Sequence, residues 1–554
     1  MDTIGSAFPT TPGVWRFFRW RPSISLETFA LVAAALFTLF YNNAFWRFLA
    51  ARVDLHQGRG WAVAAAFAIV VWGLHALLLL VLLARWNAKL IVGLMIVVSA
   101  IAVYYMGEYA VFLDVDMLRN VLHSEPKEAA ELVTPGLAWT LALYAAVPLA
   151  LLARVRWVER PWLVALGRRA VVMTVVSCLL LGASLATFQD MASLMRNHKP
   201  MRYLVTPGNW IASLARVAGD AVSSANKPHI PVGTDAVLAT PAGGRPRLLV
   251  IVVGETVRAR NWGLSGYARN TTPMLARRDV VNFTDVTACG TSTEVSLPCM
   301  FAQRGRRDYD KGAIARSDSL LQVLDHAGVA VAWRDNQTGC KGVCNGLPFE
   351  SFLHADIAGL CDGERCLDEV LLHDLQARLA EAEAAQVIVL HQLGNHGPSY
   401  YRRYPPAFER FTPACHDAQL GDCTSQEVVN AYDNAILYTD YFLATTIDFL
   451  EAQEGRDTAL IYVSDHGESL GEANLYLHGV PYPIAPDVQT KVPMLVWLSP
   501  GLREAEGLSQ ACLLGRRNQP LSHDNLFSSV LGLMDVSTQD YEPGLDLFRP
   551  CRPT

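Results

Sequence analysis

The fold of this chain is decided by two apolar stretches that each end in polar residues. They read LLVIVVGET at residues 248–256 and ALIYVSDHGE at residues 459–468. Short β-branched runs that end at Gly or Ser are typical of buried strands in a parallel sheet. In an open α/β sheet, chemistry takes place at the carboxyl ends of such strands. Glu255, Asp465 and His466 are therefore expected to meet at one edge of a sheet.

A hydroxyl-rich stretch, CGTST at residues 289–293, completes a candidate metal site. Two carboxylates, one imidazole and one hydroxyl form a donor set that suits zinc, which accepts N and O ligands in a tetrahedron. A cation stabilises the alkoxide form of a bound hydroxyl, so that this hydroxyl becomes a nucleophile near neutral pH. The residues alone predict a metal-dependent phosphoryl or sulfuryl enzyme.

The composition indicates a membrane protein with a globular part. A length of 554 residues predicts two or three domains, and 51% of the residues are hydrophobic. The mean hydropathy of +0.21 is high for a soluble protein, and the apolar excess lies before about residue 190. The net charge of −6 argues against nucleic acid as a partner.

Five apolar stretches are long enough to span a bilayer, which needs about 20 residues. They are residues 26–48, 61–84, 90–109, 137–153 and 170–187, of which the fourth is the shortest. Basic residues are concentrated at the N-terminus, in the second loop and in the fourth loop, which places these segments on the cytoplasmic side. The odd number of spans then exports everything after residue 190, with the first span acting as an uncleaved signal anchor.

The cysteines support this orientation independently. Ten of the eleven lie in the exported part. Eight of them form close pairs: Cys289 with Cys299, Cys340 with Cys344, Cys361 with Cys366, and Cys415 with Cys423. Such pairs in an oxidising compartment are typical of disulfides. Cys512 and Cys551 could make a fifth pair. The alternative to disulfides is a second metal cluster built from residues 340, 344, 361 and 366.

Three regions follow from the change in composition along the chain. They are a transmembrane domain (1–190), connector helices with a linker (191–246), and a catalytic domain (247–554). Within the last, candidate strands at 248–253, 329–333, 387–390, 459–463 and 494–498 alternate with candidate helices at 317–326, 367–385 and 426–451. This alternation predicts a mostly parallel sheet with helices on both faces. The amphipathic segment 189–220 is either a helix on the membrane surface or a plain linker helix.

Several longer motifs together resemble one family. They are GETVR (254–258), LxGYxRxT (264–271), CGTSTEVSLPCMF (289–301), SDHGESLGE (464–472) and YLHG (476–479). This signature resembles the lipid A phosphoethanolamine transferases, inner-membrane enzymes of Gram-negative bacteria that include chromosomal and mobile colistin-resistance enzymes. The resemblance covers nearly the whole chain. It implies five spans, a connector and an alkaline-phosphatase-like α/β domain in the periplasm.

The resemblance also implies roles for particular residues. One tightly bound zinc would be held by Glu255, Thr293, Asp465 and His466, with Thr293 as the nucleophile. His396 and His478 would hold the transferred group, the acceptor phosphate or an additional zinc, and one of them would transfer a proton. Substrate-binding residues implied by the same resemblance are Glu468, Lys341, Asn120, Ser124 and Glu128. The family commonly has Thr where this chain has Ser124, which keeps the hydroxyl and loses a methyl group.

The implied reaction has two steps. Thr293 attacks the phosphorus of phosphatidylethanolamine, diacylglycerol leaves, and a lipid A phosphate then takes the group from a phosphoethanolamine–threonine adduct. The partners would be these two lipids and the membrane around a monomer, without nucleic acid, and the consequence would be polymyxin resistance. Alternatives are a lipopolysaccharide core sugar or another periplasmic glycan as acceptor, a sulfatase or phosphodiesterase, and a membrane-anchored sensor.

Some residues have plainer interpretations. The spacing of four between Asn120, Ser124 and Glu128 would place them on one helix face, which by spacing alone is a solvated face and by resemblance is the donor site. Residues 296–298 were considered as the start of a helix whose amides would favour an anion. His391 is expected to be a packed core histidine. Asp433 and Asp440 are expected to be surface or capping charges.

Overall fold

The chain forms two compact units. The computed structural model describes residues 21–124, 126–225, 227–239, 244–379 and 385–553, and the side chains of residues 127, 128 and 221–225 also lie outside the described part. The helical unit comprises Met1–Gly107 and Pro135–Ala212, and the sheet unit comprises Glu108–Thr134 and Ser213–Thr554. The units therefore do not follow the sequence-based boundaries at 190 and 246. Residues 108–134, the loop between the third and fourth predicted spans, group with the sheet unit.

The helices before residue 226 follow the predicted spans. They are α1 (Leu26–Phe40), α2 (Asn43–Ala50), α3 (Gly58–Leu82), α4 (Ala88–Glu108), α5 (Val115–His123), α6 (Pro126–Glu131), α7 (Pro135–Arg154), α8 (Trp162–Ala186), α9 (Phe188–Asn197) and α10 (Gly208–Ala225). Four of them, α3, α4, α7 and α8, are long and apolar enough to span a membrane. The pair α1 and α2 makes a fifth span if it is counted as one.

The first predicted span is bent by 57° between α1 and α2. The cause is Asn42, whose amide Nδ2 donates to Phe37 O at 2.8 Å and to Thr206 O at 2.7 Å, while Thr206 N donates back to its Oδ1 at 2.8 Å. A buried polar side chain has to be satisfied inside the protein. The hydrogen bonds that satisfy the Asn42 side chain end α1 at this point. In the same unit, β1 (Ser23–Ile24) pairs in parallel with β2 (Arg156–Trp157).

An eight-stranded sheet forms the centre of the sheet unit. The remaining strands are β3 (Val237–Leu238), β4 (Arg247–Gly254), β5 (Val281–Thr287), β6 (Ala330–Asp335), β7 (Phe349–Ser351), β8 (Gln386–His391), β9 (Asp457–Ser464), β10 (Ser469–Leu470), β11 (Tyr476–Leu477), β12 (Lys491–Leu498), β13 (Leu521–Ser522) and β14 (Val536–Ser537). The sheet order is β13-β5-β12-β9-β4-β8-β6-β7. β12 runs antiparallel to both of its neighbours, and the other pairings are parallel.

Each predicted strand matches an observed one, with 329–333 starting one residue before β6, but the sheet is mixed. Sequence reasoning missed β5, which carries polar residues between its apolar ones, and it could not foresee the reversed direction of β12. The central strand β4 is buried along its whole length. Its alternate residues enter two separate hydrophobic cores: Leu249, Ile251 and Val253 contribute to one, and Leu248 and Val250 to the other. Burial of both faces explains why β4 is a continuous apolar run.

Helices cover both faces of the sheet. They are α11 (Thr293–Met300), α12 (Lys311–Ile314), α13 (Leu320–His326), α14 (Leu375–Leu379), α15 (Ser425–Glu451), α16 (Asp487–Thr490), α17 (Pro500–Glu506), α18 (Gln510–Arg516) and α19 (Asp524–Leu533). Capping boxes start α13 at Ser319 and α15 at Thr424, as expected for such pairs.

The predicted helix at 367–385 is wrong. A 3-10 turn at Asp368–Leu372 and the short α14 replace it, and residues 380–384 lie outside the described part. Asp374 lies between the two pieces with a left-handed φ of 54°. A helix cannot continue through that conformation.

Disulfides join the cysteines in close pairs. They are Cys289–Cys299, Cys340–Cys344, Cys361–Cys366, Cys415–Cys423 and Cys512–Cys551. The alternative of a metal cluster at residues 340, 344, 361 and 366 is therefore wrong, since these four sulfurs are already bonded in two separate pairs. The fifth pair, left open by the sequence, closes a loop between α18 and the C-terminus.

Candidate active site

Three buried metal-ligand candidates meet at the carboxyl ends of two neighbouring strands. Glu255 follows β4, and Asp465 and His466 follow β9, whose Ser464 is paired with Gly254. One ligand atom from each of the three residues lies within 4.8 Å of the others, and all three side chains are buried. The parallel register brings together Glu255 and Asp465, which are 210 positions apart in the chain. The predicted meeting of these side chains is confirmed.

Thr293 completes this group as the first residue of α11. Its Oγ1 donates to Glu255 Oε2 at 3.0 Å and lies 3.4 Å from His466 Nε2. The helix starts here, and not at 296–298 as considered from the sequence, with extended Ser292 as its N-cap. The amides of a first helical turn lack intrahelical acceptors and favour an anion nearby. The hydroxyl therefore lies between a set of acceptors and an anion-favouring helix start.

The four residues fit a bound cation. His466 Nδ1 lies 2.9 Å from Gly467 O. Because a carbonyl only accepts, Nδ1 carries the proton and Nε2 presents its lone pair near Asp465 Oδ2 (3.2 Å) and Glu255 Oε1 (3.5 Å). Asp465 Oδ2 is buried and accepts no hydrogen bond from any described residue. So many converging acceptors are expected where a cation binds.

Burial disfavours the charged form of both metal-ligand candidates that follow β9. It raises the pKa of Asp465, and with the neighbouring His478 it lowers the pKa of His466 well below its ordinary value. Both charged forms are thus penalised in the dry site. Neutral imidazole is the form that ligates metals, and a cation would compensate the cost of a buried carboxylate.

A loop after β6 orients Glu255. Gln337 Nε2 donates to Glu255 Oε2 at 3.1 Å. The loop is fixed by Asp335, whose Oδ2 accepts from the backbone N–H groups of Gln337 and Gly339. Asp335 Oδ1 lies 2.7 Å from His391 Nδ1. His391 is fully buried, as expected of a packed core histidine, but it also anchors this loop. No sequence motif pointed to Gln337.

Two further histidines lie beside the cluster. The ring centroid of His478 is 4.4 Å from that of His466 and 5.6 Å from that of His396. His478 Nδ1 lies 2.8 Å from Glu468 Oε2, and Tyr400 OH donates to Glu468 Oε1 at 2.7 Å. Glu468 is fully buried. Because both of its oxygens are engaged, its position favours orienting His478 over binding substrate directly.

The residues expected to bind the donor are only partly assembled. Lys341 Nζ donates to Thr338 Oγ1 at 2.7 Å. Asn120 lies in α5, but α5 ends at His123, and Ser124 is extended with its Oγ donating to Asn120 O at 2.9 Å. The expectation of one continuous helix face is therefore wrong. A new helix, α6, starts at Pro126, because proline suits the first position of a helix. Glu128 belongs to α6, and its side chain lies outside the described part.

Residues 108–134 are nevertheless in contact with candidate site residues within the sheet unit. Glu131 pairs with Arg365 and, at 2.7 Å, with Arg403 Nη2. Arg403 Nε in turn donates to the backbone oxygen of His396 at 2.6 Å. Nearer the nucleophile, His123 Nδ1 lies 3.1 Å from Glu294 Oε2. The sequence did not identify any of these contacts.

Asp433 and Asp440 of α15 were expected to be surface or capping charges; both are buried, so the surface interpretation is wrong. Asp433 accepts from Asn261 Nδ2 (2.6 Å), Tyr267 OH (2.9 Å) and Arg269 Nη1 (2.8 Å). Asp440 accepts from the N–H groups at residues 274 and 275, and burial raises its pKa to about 6. The LxGYxRxT motif thus has a structural use, because it packs the segment after Glu255 onto α15.

The fold and the ligand set define a class of protein: a membrane-anchored enzyme of the alkaline phosphatase and sulfatase type. Family models agree with this, since residues 247–536 match the sulfatase model and residues 71–222 match the model of phosphoethanolamine transferases EptA/EptB.

Individual relatives are similar over nearly the whole chain. EptA of Salmonella typhimurium is 36% identical over 545 residues, which is 97% of this chain and 99% of the relative. Mcr-1 of Escherichia coli, a phosphatidylethanolamine transferase, is 34% identical over 93% of this chain and 96% of its own. The structure of EptA from Neisseria meningitidis, a lipooligosaccharide phosphoethanolamine transferase, matches with a TM-score of 0.92 at 37% identity, covering 96% of this chain and all of that one.

This chain therefore belongs to the lipid A phosphoethanolamine transferase family. Its apolar helices lie in the bacterial inner membrane, and its α/β domain lies in the periplasm.

Proposed function

We propose that the protein transfers phosphoethanolamine from phosphatidylethanolamine to a lipid A phosphate through a covalent adduct on Thr293. The observation that carries the proposal is the position of Thr293 Oγ1, 3.0 Å from Glu255 Oε2 and 3.4 Å from His466 Nε2 at the start of α11. A nucleophile that forms a covalent intermediate divides one difficult substitution into two easier ones.

The donor set supports zinc as the cofactor. Glu255, Thr293, Asp465 and His466 would hold it, and it would supply the positive charge that makes a threonine hydroxyl acidic enough to react near neutral pH. Gln337 would keep the Glu255 carboxylate in its ligating orientation, as outer hydrogen-bond partners of metal ligands do. The amides at the start of α11 would favour the negative charge of the phosphoryl oxygens.

In the first step, Thr293 Oγ gives its proton to His478 and forms a bond to the phosphorus, and the bond from phosphorus to the diacylglycerol oxygen breaks. The leaving oxygen takes a proton, and we assign its delivery to His478. Glu468 accepts from His478 Nδ1 and so orients the imidazole, whose other ring nitrogen would exchange the proton with the substrate. In the second step, a lipid A phosphate oxygen attacks the phosphorus, and Thr293 Oγ leaves and takes back a proton that His478 receives from the lipid A phosphate.

Asn120, Ser124, Glu128 and Lys341 remain the proposed donor-binding residues. The first three belong to residues 108–134, and their support is the attachment of that segment to the rest of the sheet unit through Glu131. A carboxylate suits the ethanolamine ammonium, and amide, hydroxyl and lysine donors suit the phosphate and ester oxygens.

Lipid A is the acceptor we favour, and a core sugar or another periplasmic glycan is the alternative. An added ammonium lowers the negative charge of the outer surface, and cationic peptides would be attracted less. Polymyxin resistance is the proposed consequence. An unchanged inhibitory concentration of polymyxin in cells whose lipid A is modified would contradict this consequence.

Mass spectrometry of lipid A tests the proposal. Cells that express the wild type should gain phosphoethanolamine on lipid A, and cells that express Thr293→Ala should not. Thr291→Ala is the matched control, because Thr291 Oγ1 only donates to the Val480 carbonyl at 2.8 Å. Modification on the core sugar alone would transfer support to the alternative acceptor, and modified lipid A in Thr293→Ala cells would refute the nucleophile.

A further inference from the structure

A cationic cavity of about 330 Å³ lies in the helical unit, and every residue that lines it belongs to that unit. Arg85, Arg160 and Arg169 line it, together with the carboxylate of Glu27. Three positive charges against one negative charge leave the lining with a net charge of +2. The arginines come from the two loops that the distribution of basic residues places on the cytoplasmic side.

Two helix starts add to the positive potential. α1 begins at Leu26, after Ser25 as N-cap, and α8 begins at Trp162. Residues of both first turns line the cavity. The N–H groups of a first turn lack intrahelical acceptors, and the helix dipole favours an anion at that end. The cavity therefore combines three guanidinium groups with two helix N-termini, and anions are the ligands that such a combination attracts.

The arginines are held in place by backbone carbonyls. Arg85 Nη2 donates to Arg160 O at 2.9 Å, and Arg169 Nη2 donates to Leu83 O at 2.9 Å. Each guanidinium has five N–H groups, so one such bond fixes the side chain and leaves donors for a ligand. The pairing of β1 with β2 fixes the backbone next to the cavity. Two of the three cationic groups, Arg85 and Arg169, are thus preorganised, which reduces the entropy cost of binding.

The wall of the cavity also carries apolar side chains that protein does not cover. Trp162 is 72% exposed and Leu166 is 58% exposed. Both lie at the start of a membrane-spanning helix, where tryptophan commonly sits at the level of the lipid headgroups. A free phosphate ion would use the arginines and leave these side chains unused. A phospholipid would use both, with its phosphodiester at the arginines and its acyl chains along Trp162 and Leu166.

We propose that this cavity binds an anionic phospholipid of the cytoplasmic leaflet. Basic pockets between transmembrane helices on this side of a membrane suit anionic headgroups. Phosphatidylethanolamine is disfavoured here because its ammonium would meet a lining of net charge +2. The site is therefore distinct from the proposed donor site in headgroup charge and in the unit that builds it, and it does not depend on the proposed reaction.

Native mass spectrometry of the full-length protein in detergent tests this. The probes are phosphatidylglycerol, phosphatidylethanolamine with the same acyl chains, and glycerol 3-phosphate, which has the headgroup anion without chains. We expect phosphatidylglycerol to stay bound at a concentration where the other two do not. Equal binding of phosphatidylethanolamine, or glycerol 3-phosphate binding as tightly as the lipid, would overturn the proposal.

A matched pair of variants locates the site. Arg160→Ala should weaken phosphatidylglycerol binding about fivefold, since one basic side chain near anionic lipid is worth about 1 kcal/mol. Arg168→Ala should leave binding unchanged, because Arg168 lies exposed in the first turns of α8 and is not part of the lining. Arg160→Lys, which keeps the charge, covers the case in which the alanine variant fails to fold. Equal loss in the Arg160 and Arg168 variants would show a general charge effect and overturn the assignment.

Discussion

The buried charge pairs of Glu131 give the sharpest test of how residues 108–134 serve the reaction. Glu131 is 7% exposed and pairs with Arg365, 14% exposed, and Arg403, 2% exposed. Glu131→Gln keeps the shape and one acceptor but removes the charge. Hydrogen bonds to charged groups contribute about 1.5–3 kcal/mol and neutral ones about 1 kcal/mol. Two weakened contacts therefore cost about 1–4 kcal/mol in total.

Part of this cost should appear in the reaction. Arg403 holds the backbone oxygen of His396, and Glu131 follows the proposed donor-binding residues in the chain. If about 2 kcal/mol is lost from transition-state stabilisation, kcat/KM falls about 30-fold. The assay is release of labelled diacylglycerol from labelled phosphatidylethanolamine by the purified full-length enzyme, with zinc content measured alongside.

Glu364→Gln is the control. Glu364 is 69% exposed and pairs with Arg402 at 3.1 Å, and exposed pairs contribute about 0–1 kcal/mol. Its kcat/KM should stay within about twofold of the wild type. The reasoning is refuted if Glu131→Gln also stays within that range. A double-mutant cycle with Arg365→Gln should show coupling of about 1 kcal/mol or more, as for residues in one buried network.

Three further predictions concern the site and its support. Gln337→Leu should weaken zinc binding about 10- to 100-fold, measured by competition with a chelator; unchanged affinity would contradict the orienting role of its bond to Glu255. Glu468→Gln should lower kcat by about 100-fold and change its pH profile while zinc content stays constant, because it supports His478; an unchanged profile would argue against proton transfer there. Burial lowers the pKa of His523 to about 4, so the unfolded chain binds the extra proton first and stability falls as pH drops below about 6.5. Between pH 7 and 5 the loss is about 2 kcal/mol, seen in urea midpoints with chelator present, and a flat response would count against it.

The metal-ligand candidates could be predicted because parallel strands deliver their ends to one edge. The apolar runs before Glu255 and Asp465 were long enough to identify as strands. The parallel register of β4 with β9 then places the two strand ends side by side. The membrane spans were equally visible, since the bilayer sets a minimum length. Only the break at Asn42 was missed, because its partner Thr206 is 164 positions away.

The supporting residues could not be predicted, because each depends on a long-range contact. Gln337 is an ordinary loop glutamine until the loop is fixed by Asp335 and His391. Asp433 has the sequence surroundings of a solvated helix position, and only its three distant donors keep it buried. Local patterns describe faces and periods, and they carry no information on which side chain arrives from another part of the chain.

The most direct test of the central claim is the mass of the protein itself. The full-length enzyme, loaded with zinc, is mixed with phosphatidylethanolamine without acceptor, quenched in acid and digested. The account predicts one phosphoethanolamine group on the peptide that contains Thr293, located on that side chain by fragmentation and lost when lipid A is added before the quench. Turnover with no adduct on Thr293, or an adduct that lipid A does not remove, would contradict it.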